Sequence, residues 1–344
     1  MDENRREELL HTKLRHRRNT PPDTGIRVPP QAMREFITAL FIKAGTNSED
    51  AQLLGQILTA CDVRCVFSHG TQAAVGYLDK MRSGEVNPRP QVEVVHEAPG
   101  ALVLDGDGGL GYLPCWRGTE QIITKAKTCG AAVLTTRNHF HFGAAGNYTW
   151  LAVGEGCIGL AASNHRNVRA PERPLAGTIT SSPISIGVPA TEQPPMVLDM
   201  GSGIVGFNAA QFADSFPAFF KSLGISNMVQ ILGGVVAGIY LEQCRQGPWT
   251  SNQGSFIAVF DTEHLMPSGQ VQSQVDQYMR EARAMQPLPG MERAELAGGF
   301  EWAWQQENET AGIPVGDKHR QALEEAAGEW GVEAPFAAFA ETRF

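Results

Sequence analysis

Gly130-Ala131-Ala132-Val133-Leu134-Thr135-Thr136 runs, after Arg137, into Asn138-His139-Phe140-His141-Phe142-Gly143-Ala144-Ala145-Gly146-Asn147-Tyr148. The first segment is a short apolar run that opens on glycine, which reads as a strand. The second brings two imidazoles out where that strand ends, with small residues behind them that let backbone or ligand approach closely. Such a place suits a proton donor or acceptor, because histidine changes charge near neutral pH. A surface histidine pair beside a Gly/Ala turn is the other reading. A helix over 147–153 and a strand over 157–163 follow, so this part of the chain alternates strand, loop, helix and strand in the manner of an α/β domain.

Outward from that centre the pattern turns helical. Residues 30–62 read as two helices, the first opened by Pro30 and carrying Met33, Phe36, Ile37, Leu40 and Phe41 at helical spacing. Ala51, Leu54, Ile57 and Leu58 continue the pattern, with Ser48 as the expected N-cap of the second helix and Glu49 and Asp50 in its first turn. Strands are expected at 91–96 and 101–106, a helix at 115–128 delayed by Pro114, and strands at 185–188, 196–199 and 256–260. Residues 228–241 read as one apolar helix, and the chain from residue 274 returns to helices, broken at Pro287-Leu288-Pro289. The resulting division is a flexible arm over 1–26, a discontinuous helical domain over 27–98 and 264–344, and an α/β domain over 99–263.

The 344 residues are enough for two domains and a substantial core. A formal net charge of −9 argues against a nucleic-acid partner, since phosphate contacts need clustered Lys and Arg. Lys13-Leu14-Arg15-His16-Arg17-Arg18 is the clearest basic cluster and sits in the arm. No uncharged apolar stretch is long enough for a bilayer, so no membrane partner is expected. The six cysteines are scattered, with Cys61 and Cys65 their one close pair. They read as reduced thiols of a cytoplasmic protein, and no metal site is expected.

Several short motifs carry chemistry. Gly106-x-Gly108-x-x-Gly111 matches the dinucleotide fingerprint formally, but the next strand ends in Thr135-Thr136-Arg137 with no acid for a ribose hydroxyl, so it reads as a turn before a helix. Ser68-His69-Gly70 sets an imidazole beside a hydroxyl and a hinge; a capping serine with an incidental histidine is the plainer reading. Asp199 ends an apolar strand, where it could orient an imidazole, bind ribose or make an Asx turn. Lys221 follows Phe219-Phe220 and could grip a phosphate or carboxylate, or simply be solvated.

Taken in order, these segments resemble the malate/L-lactate dehydrogenase family, which lacks the usual Rossmann fold. The resemblance covers most of residues 30–315. It rests on Ser68-His69-Gly70, Asp105-Gly106 with Gly111, Asn138-x-x-His141-Phe142-Gly143-Ala144-Ala145-Gly146-x-Tyr148 and Ser163-Asn164. Pro183 with Val188-Pro189, Val197-Leu198-Asp199-Met200, Lys221 and Gly312-Ile313-Pro314 complete it. It implies an α/β fold in which a mixed-sheet, non-Rossmann nicotinamide-binding domain is clasped by a discontinuous helical domain. It also implies NAD or NADP as cofactor, a homodimer, and hydride transfer between nicotinamide and a small 2-hydroxy, 2-oxo or imino acid, a carboxylic-acid-like substrate. By the same resemblance His141 and His69 are the acid/base residues and Asp199 lies near them. Ser163, Asn164, Thr180, Ser181, Ser182, Pro183, Lys221 and Ser222 are then the cofactor contacts.

The chain also departs from the family's pattern. Ala73 stands where the Ser-His-Gly motif has an arginine, Thr180-Ser181-Ser182-Pro183 replaces a Gly-Thr-Asn-Pro loop, Ser222 replaces a glycine, and the stretch between Asp199 and Lys221 is shortened after Ser215. Arg166, Arg169 and Arg173 could restore the lost positive charge or be solvated. These changes keep two alternatives open: a nicotinamide-free lyase or isomerase using His69 and His141, and a non-catalytic binding subunit.

Overall fold

The computed structural model describes residues 19–167, 169–172, 174–178, 182–205, 212–244, 247–289, 291 and 293–344. The chain divides into two compact units, residues 1–83, 191–196 and 273–344 in one, and 84–190 and 197–272 in the other.

The first unit holds a two-stranded antiparallel sheet, β1 (Gly25–Val28) with β9 (Ile313–Gly316), and helices α1 (Pro30–Lys43), α2 (Ser48–Val63), α3 (Gln72–Arg82), α8 (Gly299–Ala311) and α9 (Asp317–Trp330). Most of α7 (Gln270–Arg283) belongs to it too. Pro30 occupies the first turn of α1, where its missing N–H costs nothing, and the expected apolar stripe Met33, Phe36, Ile37, Leu40 and Phe41 is buried. The α2 cap is Asn47 rather than Ser48: the Asn47 side chain accepts a bond from Asp50 N at 2.9 Å. Of the expected arm over 1–26, residues 1–18 lie outside the described residues, and its last two residues, Gly25 and Ile26, open β1. Ile26 is buried and paired with Val315, and Asn19 Oδ1 accepts the Ser68 N–H at 3.1 Å.

The second unit is built on a seven-stranded mixed sheet in the order β2-β3-β4-β8-β5-β6-β7. The strands are β2 (Glu93–Ala98), β3 (Ala101–Asp105), β4 (Ala131–His139), β5 (Cys157–His165), β6 (Pro183–Val188), β7 (Met196–Gly201) and β8 (Gln253–Asp261). Residues 84–98, expected in the helical domain, group here because β2 pairs antiparallel with β3. β3 and β4 are parallel, whereas β8 runs antiparallel to both β4 and β5. β4 and β5 therefore point the same way, and His139 and His165 both register with Gln253 at the start of β8. The loops after these two strands thus open at one end of the sheet.

Helices α4 (Tyr112–Cys129) and α5 (Gly146–Gly154) close the core, with Leu104, Ile122, Leu134, Phe142, Tyr148 and Ile257 buried together. Pro114 does not delay α4. It sits in the first turn, whose N–H groups have no intrahelical partner anyway. The expected helix over 228–241 is instead the end of α6 (Phe212–Gln230), a π-helical segment Ile231–Val236 and a turn. There the backbone lies on the end of β5: a Cβ on Gly233 would come within 2.6 Å of Ser163 Cα. Widened turns of this kind accompany such local demands. Asp214–Val236 is long and apolar enough, by length and composition alone, to cross a membrane, although Asp214 and Lys221 interrupt it. In this fold it packs on β5.

Candidate active site

His141 follows β4 and is half-buried. Its loop is held from the side by the glycine turn 106–111. Gly108 N donates to Asn138 O at 2.8 Å, Phe140 N to Gly109 O at 2.8 Å, and Gly111 N to His141 O at 3.0 Å. Asn138 takes a positive φ of 53°, a conformation Asn tolerates better than most residues. Its amide donates to Asp105 Oδ1 at 2.7 Å and accepts from Ser251 Oγ at 2.5 Å. The glycines of the turn have a packing role. A Cβ on Gly106 would sit 2.8 Å from His139 Cβ, and one on Gly111 would strike His139 Nδ1 and lie 2.8 Å from Phe142 Cβ. The turn reading of Gly106-x-Gly108-x-x-Gly111 stands, with close backbone approach as its cause.

The two histidines of the motif do not emerge together. His139 points inward and is fully buried. Its Nδ1 is 2.7 Å from Phe140 O and its Nε2 is 2.8 Å from Thr136 Oγ1. A carbonyl can only accept, so Nδ1 carries the proton and Nε2 accepts from the threonine. Thr136 Oγ1 in turn lies 2.6 Å from Ser255 Oγ, and Cys115 Sγ is 3.3 Å from each hydroxyl. Burial lowers the His139 pKa to about 4 and raises that of Cys115 to about 11, so both stay neutral at pH 7.

Behind the loop, α5 starts at Gly146. Gly146 N donates to Asp199 Oδ2 at 2.9 Å, and a Cβ there would lie 2.6 Å from that oxygen. Asp199 thus supplies a carboxylate to a helix N-terminus, where it is favoured. β7 continues to Gly201, so Asp199 lies within the strand instead of ending it. Tyr148 Oη donates to Phe142 O at 2.5 Å, fixing the far side of the loop.

The expected cofactor contacts divide into committed and available groups. Ser163 Oγ donates to Gly254 O at 2.7 Å, and Ser222 Oγ accepts from Val205 N at 3.0 Å, so both serve the fold. Asn164 is 2% exposed; its Oδ1 accepts from Ser182 Oγ at 2.7 Å, while its Nδ2 donates to no group among the described residues. Pro183 opens β6. Lys221 is exposed on α6. Thr180, Ser181 and Arg173 lie outside the described residues. Of the loop arginines, Arg166 donates to Ser251 O at 2.5 Å and Arg169 lies over the Tyr240 ring at 5.5 Å.

His69 belongs to the first unit, on a short 3-10 turn, Phe67–His69, and is half-buried with its Nδ1 2.9 Å from Ser68 Oγ. Sequence reading passed over its neighbours. Asp62 is fully buried, bonds Thr71 N at 3.2 Å and also accepts from Thr71 Oγ1, which lies 2.9 Å from His319 Nε2. A Cβ on Gly70 would collide with Asp62 Oδ1. Burial pushes the Asp62 carboxyl up to about 7 and His319 down to about 4. A signal was available, since Asp62 continues the buried stripe of Leu54 and Leu58 on α2.

The model of a family described as malate/L-lactate dehydrogenase matches residues 28–216 and 212–324. The two stretches meet beside Ser215, where the sequence reading places a lost loop. The chain is 29% identical to the malate dehydrogenase of Pyrococcus horikoshii over 356 aligned residues, covering 90% of this chain and 96% of that one. The solved structure of malate dehydrogenase from that organism superposes with a TM-score of 0.79, covering 92% of this chain and 98% of its own. The L-sulfolactate dehydrogenase of Methanocaldococcus jannaschii is 33% identical over 157 residues, 46% of each chain.

Proposed function

The chain belongs to the malate/L-lactate dehydrogenase family of oxidoreductases, and from that premise we propose that it transfers a hydride between NAD or NADP and a small 2-hydroxy, 2-oxo or imino acid, with His141 exchanging the proton. The observation that carries this reading is the loop holding His141. Its peptide groups are tied to the 106–111 turn and its following helix to Asp199, which leaves a half-buried imidazole on a rigid mount. Preorganisation of that kind is what proton transfer requires.

The residues present fit a nicotinamide dinucleotide. Asn164 Nδ2 is a buried donor that no described residue uses, beside Ser182 and at the same sheet end as His141. A buried polar atom without a partner is costly, and a carboxamide or phosphate oxygen would satisfy it. Asn164, Ser182 and Lys221 are the side chains that would hold the group. When bound, the nicotinamide supplies the hydride. His141 as imidazolium then protonates the oxygen that gains alkoxide character, or as imidazole removes that proton in the reverse direction. His69 serves as a second acid/base group held by its turn, and Asp199 fixes the helix behind the His141 loop.

The reading includes a homodimer. Phe216, Phe220, Met228, Ile231 and Val235 recur at helical spacing from α6 into the π segment and are all exposed, an apolar row of the sort that marks an association surface. Light scattering should then give twice the 37.2 kDa chain mass. Titration with NADH and with NADPH, read by nicotinamide fluorescence, tests the central claim, followed by turnover with a panel of 2-oxo acids. Binding of neither nucleotide at high concentration overturns it. Exchange of a substrate α-proton without nicotinamide would move the chain to the lyase or isomerase class.

A further inference from the structure

Beside the proton-transfer residue sits a second histidine that cannot reach a substrate. His139 is fully buried, yet its ring touches the peptide group that leads into His141. The Phe140 carbonyl and the His141 nitrogen share one rigid plane. The His139 Nδ1–H holds that plane at its oxygen, 2.7 Å away, and Gly111 N–H holds the following plane at His141 O, 3.0 Å away. With both flanking planes pinned, the direction of the His141 Cα–Cβ bond is fixed.

What orients the His139 ring comes from three elements of the core. Thr136 on β4 donates to Nε2, Ser255 on β8 approaches the Thr136 hydroxyl at 2.6 Å, and Cys115 on α4 approaches both at 3.3 Å. The proton order is determined from one end. Because Nδ1 must donate to a carbonyl, Thr136 must donate to Nε2, so its oxygen is left to accept from Ser255 or Cys115. No member of this hydrogen-bonded series is charged in this arrangement, and the Asp105 carboxylate of β3 favours the protonated ring without outweighing its burial. A protonated His139 would present a second N–H to a hydroxyl already acting as donor, and the chain would have to reverse.

We propose that His139, held as a neutral Nδ1–H imidazole by Thr136, Ser255 and Cys115, is a positioning residue that sets the orientation of His141. This rests on the reading of His141 as the proton-transfer group, and the test separates the two. In the full chain with labelled histidine, nitrogen NMR should show His139 protonated at Nδ1 and bare at Nε2, with no titration across about pH 5 to 8. An Nε2–H form, or titration near the ordinary histidine value, overturns the proposal. His139→Ala and Thr136→Val should each displace the ring resonances and titration midpoint of His141 and lower kcat by roughly 10- to 100-fold, with KM changed less than about threefold. His139→Gln, whose amide both donates and accepts, should recover most of kcat. Unchanged His141 resonances in Thr136→Val, or Gln no better than Ala, overturn the proposal. Should His139→Ala not fold, the valine and glutamine variants decide. Should the wild type turn over no nicotinamide, the functional reading falls while the NMR measurements still judge the positioning role.

Discussion

Each unit of this protein buries an imidazole behind a threonine hydroxyl close to a histidine proposed to move protons, and the two arrangements differ in what stands behind the threonine. In the first unit, Thr71 connects His319 to the carboxyl of Asp62, next to the Ser68-His69-Gly70 turn. In the second, Thr136 connects His139 to the hydroxyl of Ser255 and the thiol of Cys115, next to His141. One chain ends in a group that gains or loses a proton near neutrality, and the other ends in groups that do not. The His69 turn is therefore mounted on a titrating support, and the His141 loop on a silent one.

The largest expected effect asks whether the two supported histidines are equivalent. His141→Ala should lower kcat by about 10³-fold and His69→Ala by about 10²-fold, both within the usual range for general acid–base groups. Equal losses, measured by steady-state kinetics, would erase the distinction between a primary and a secondary proton carrier.

Acid stability separates the supports themselves. Unfolded histidine titrates near 6.5, folded His139 near 4, so the unfolded chain binds the extra proton first as pH falls. Stability from this group is full above about pH 6.5 and declines toward pH 4, by on the order of 3 kcal/mol. His319 acts in the same sense in the first unit. Asp62 opposes it there: its folded value of about 7 lies above the unfolded 3.8, so its contribution is full below about pH 4 and is lost as pH rises through 7. Hydrogen exchange should accordingly show β4 and β8 losing protection between pH 6 and 4 before α2 and α3 do. Asp62→Asn removes the compensation and should make the two units fail together; no change in their order would break the argument.

A smaller effect comes from the glycines that close over each support. Gly70→Ala would push a methyl onto Asp62, and Gly111→Ala onto the His139 ring and Phe142. Both should destabilise by about 1–3 kcal/mol in denaturant unfolding, Gly111 more, because an imidazole pinned at both nitrogens has less room to yield. The smallest effect is expected at the helix behind the loop. Asp199→Ala leaves Gly146 N without its acceptor and should cost about 1 kcal/mol, a shift of a few degrees in Tm.

What could be read ahead from the residues follows from the range of the forces involved. The apolar stripes of α1 and α2 and the strand–loop–helix–strand order around His141 are local patterns, and they were legible. β1 and β9 were not: each is four residues long, Pro314 lies inside one, and neither exists without the other. The inward turn of His139 was equally hidden, because the hydroxyl that receives it, Thr136, is itself held by Cys115 and Ser255, distant in the chain. Asp62 was overlooked by reading its helix for apolar spacing alone. Among the residues expected to contact a cofactor, a serine's identity did not reveal that Ser163 and Ser222 spend their hydroxyls on backbone groups, nor an asparagine's that Asn164 Nδ2 has no partner among the described residues.

Asp199 lies on β7, the outermost strand of its sheet. Outer strands breathe more readily than central ones, since one side of their backbone ladder is unpaired. Were β7 to peel away, α5 would lose the carboxylate at its first turn, which couples the sheet margin to the segment next to His141. A mutation that stiffens β7 would quiet the His141 loop from a distance.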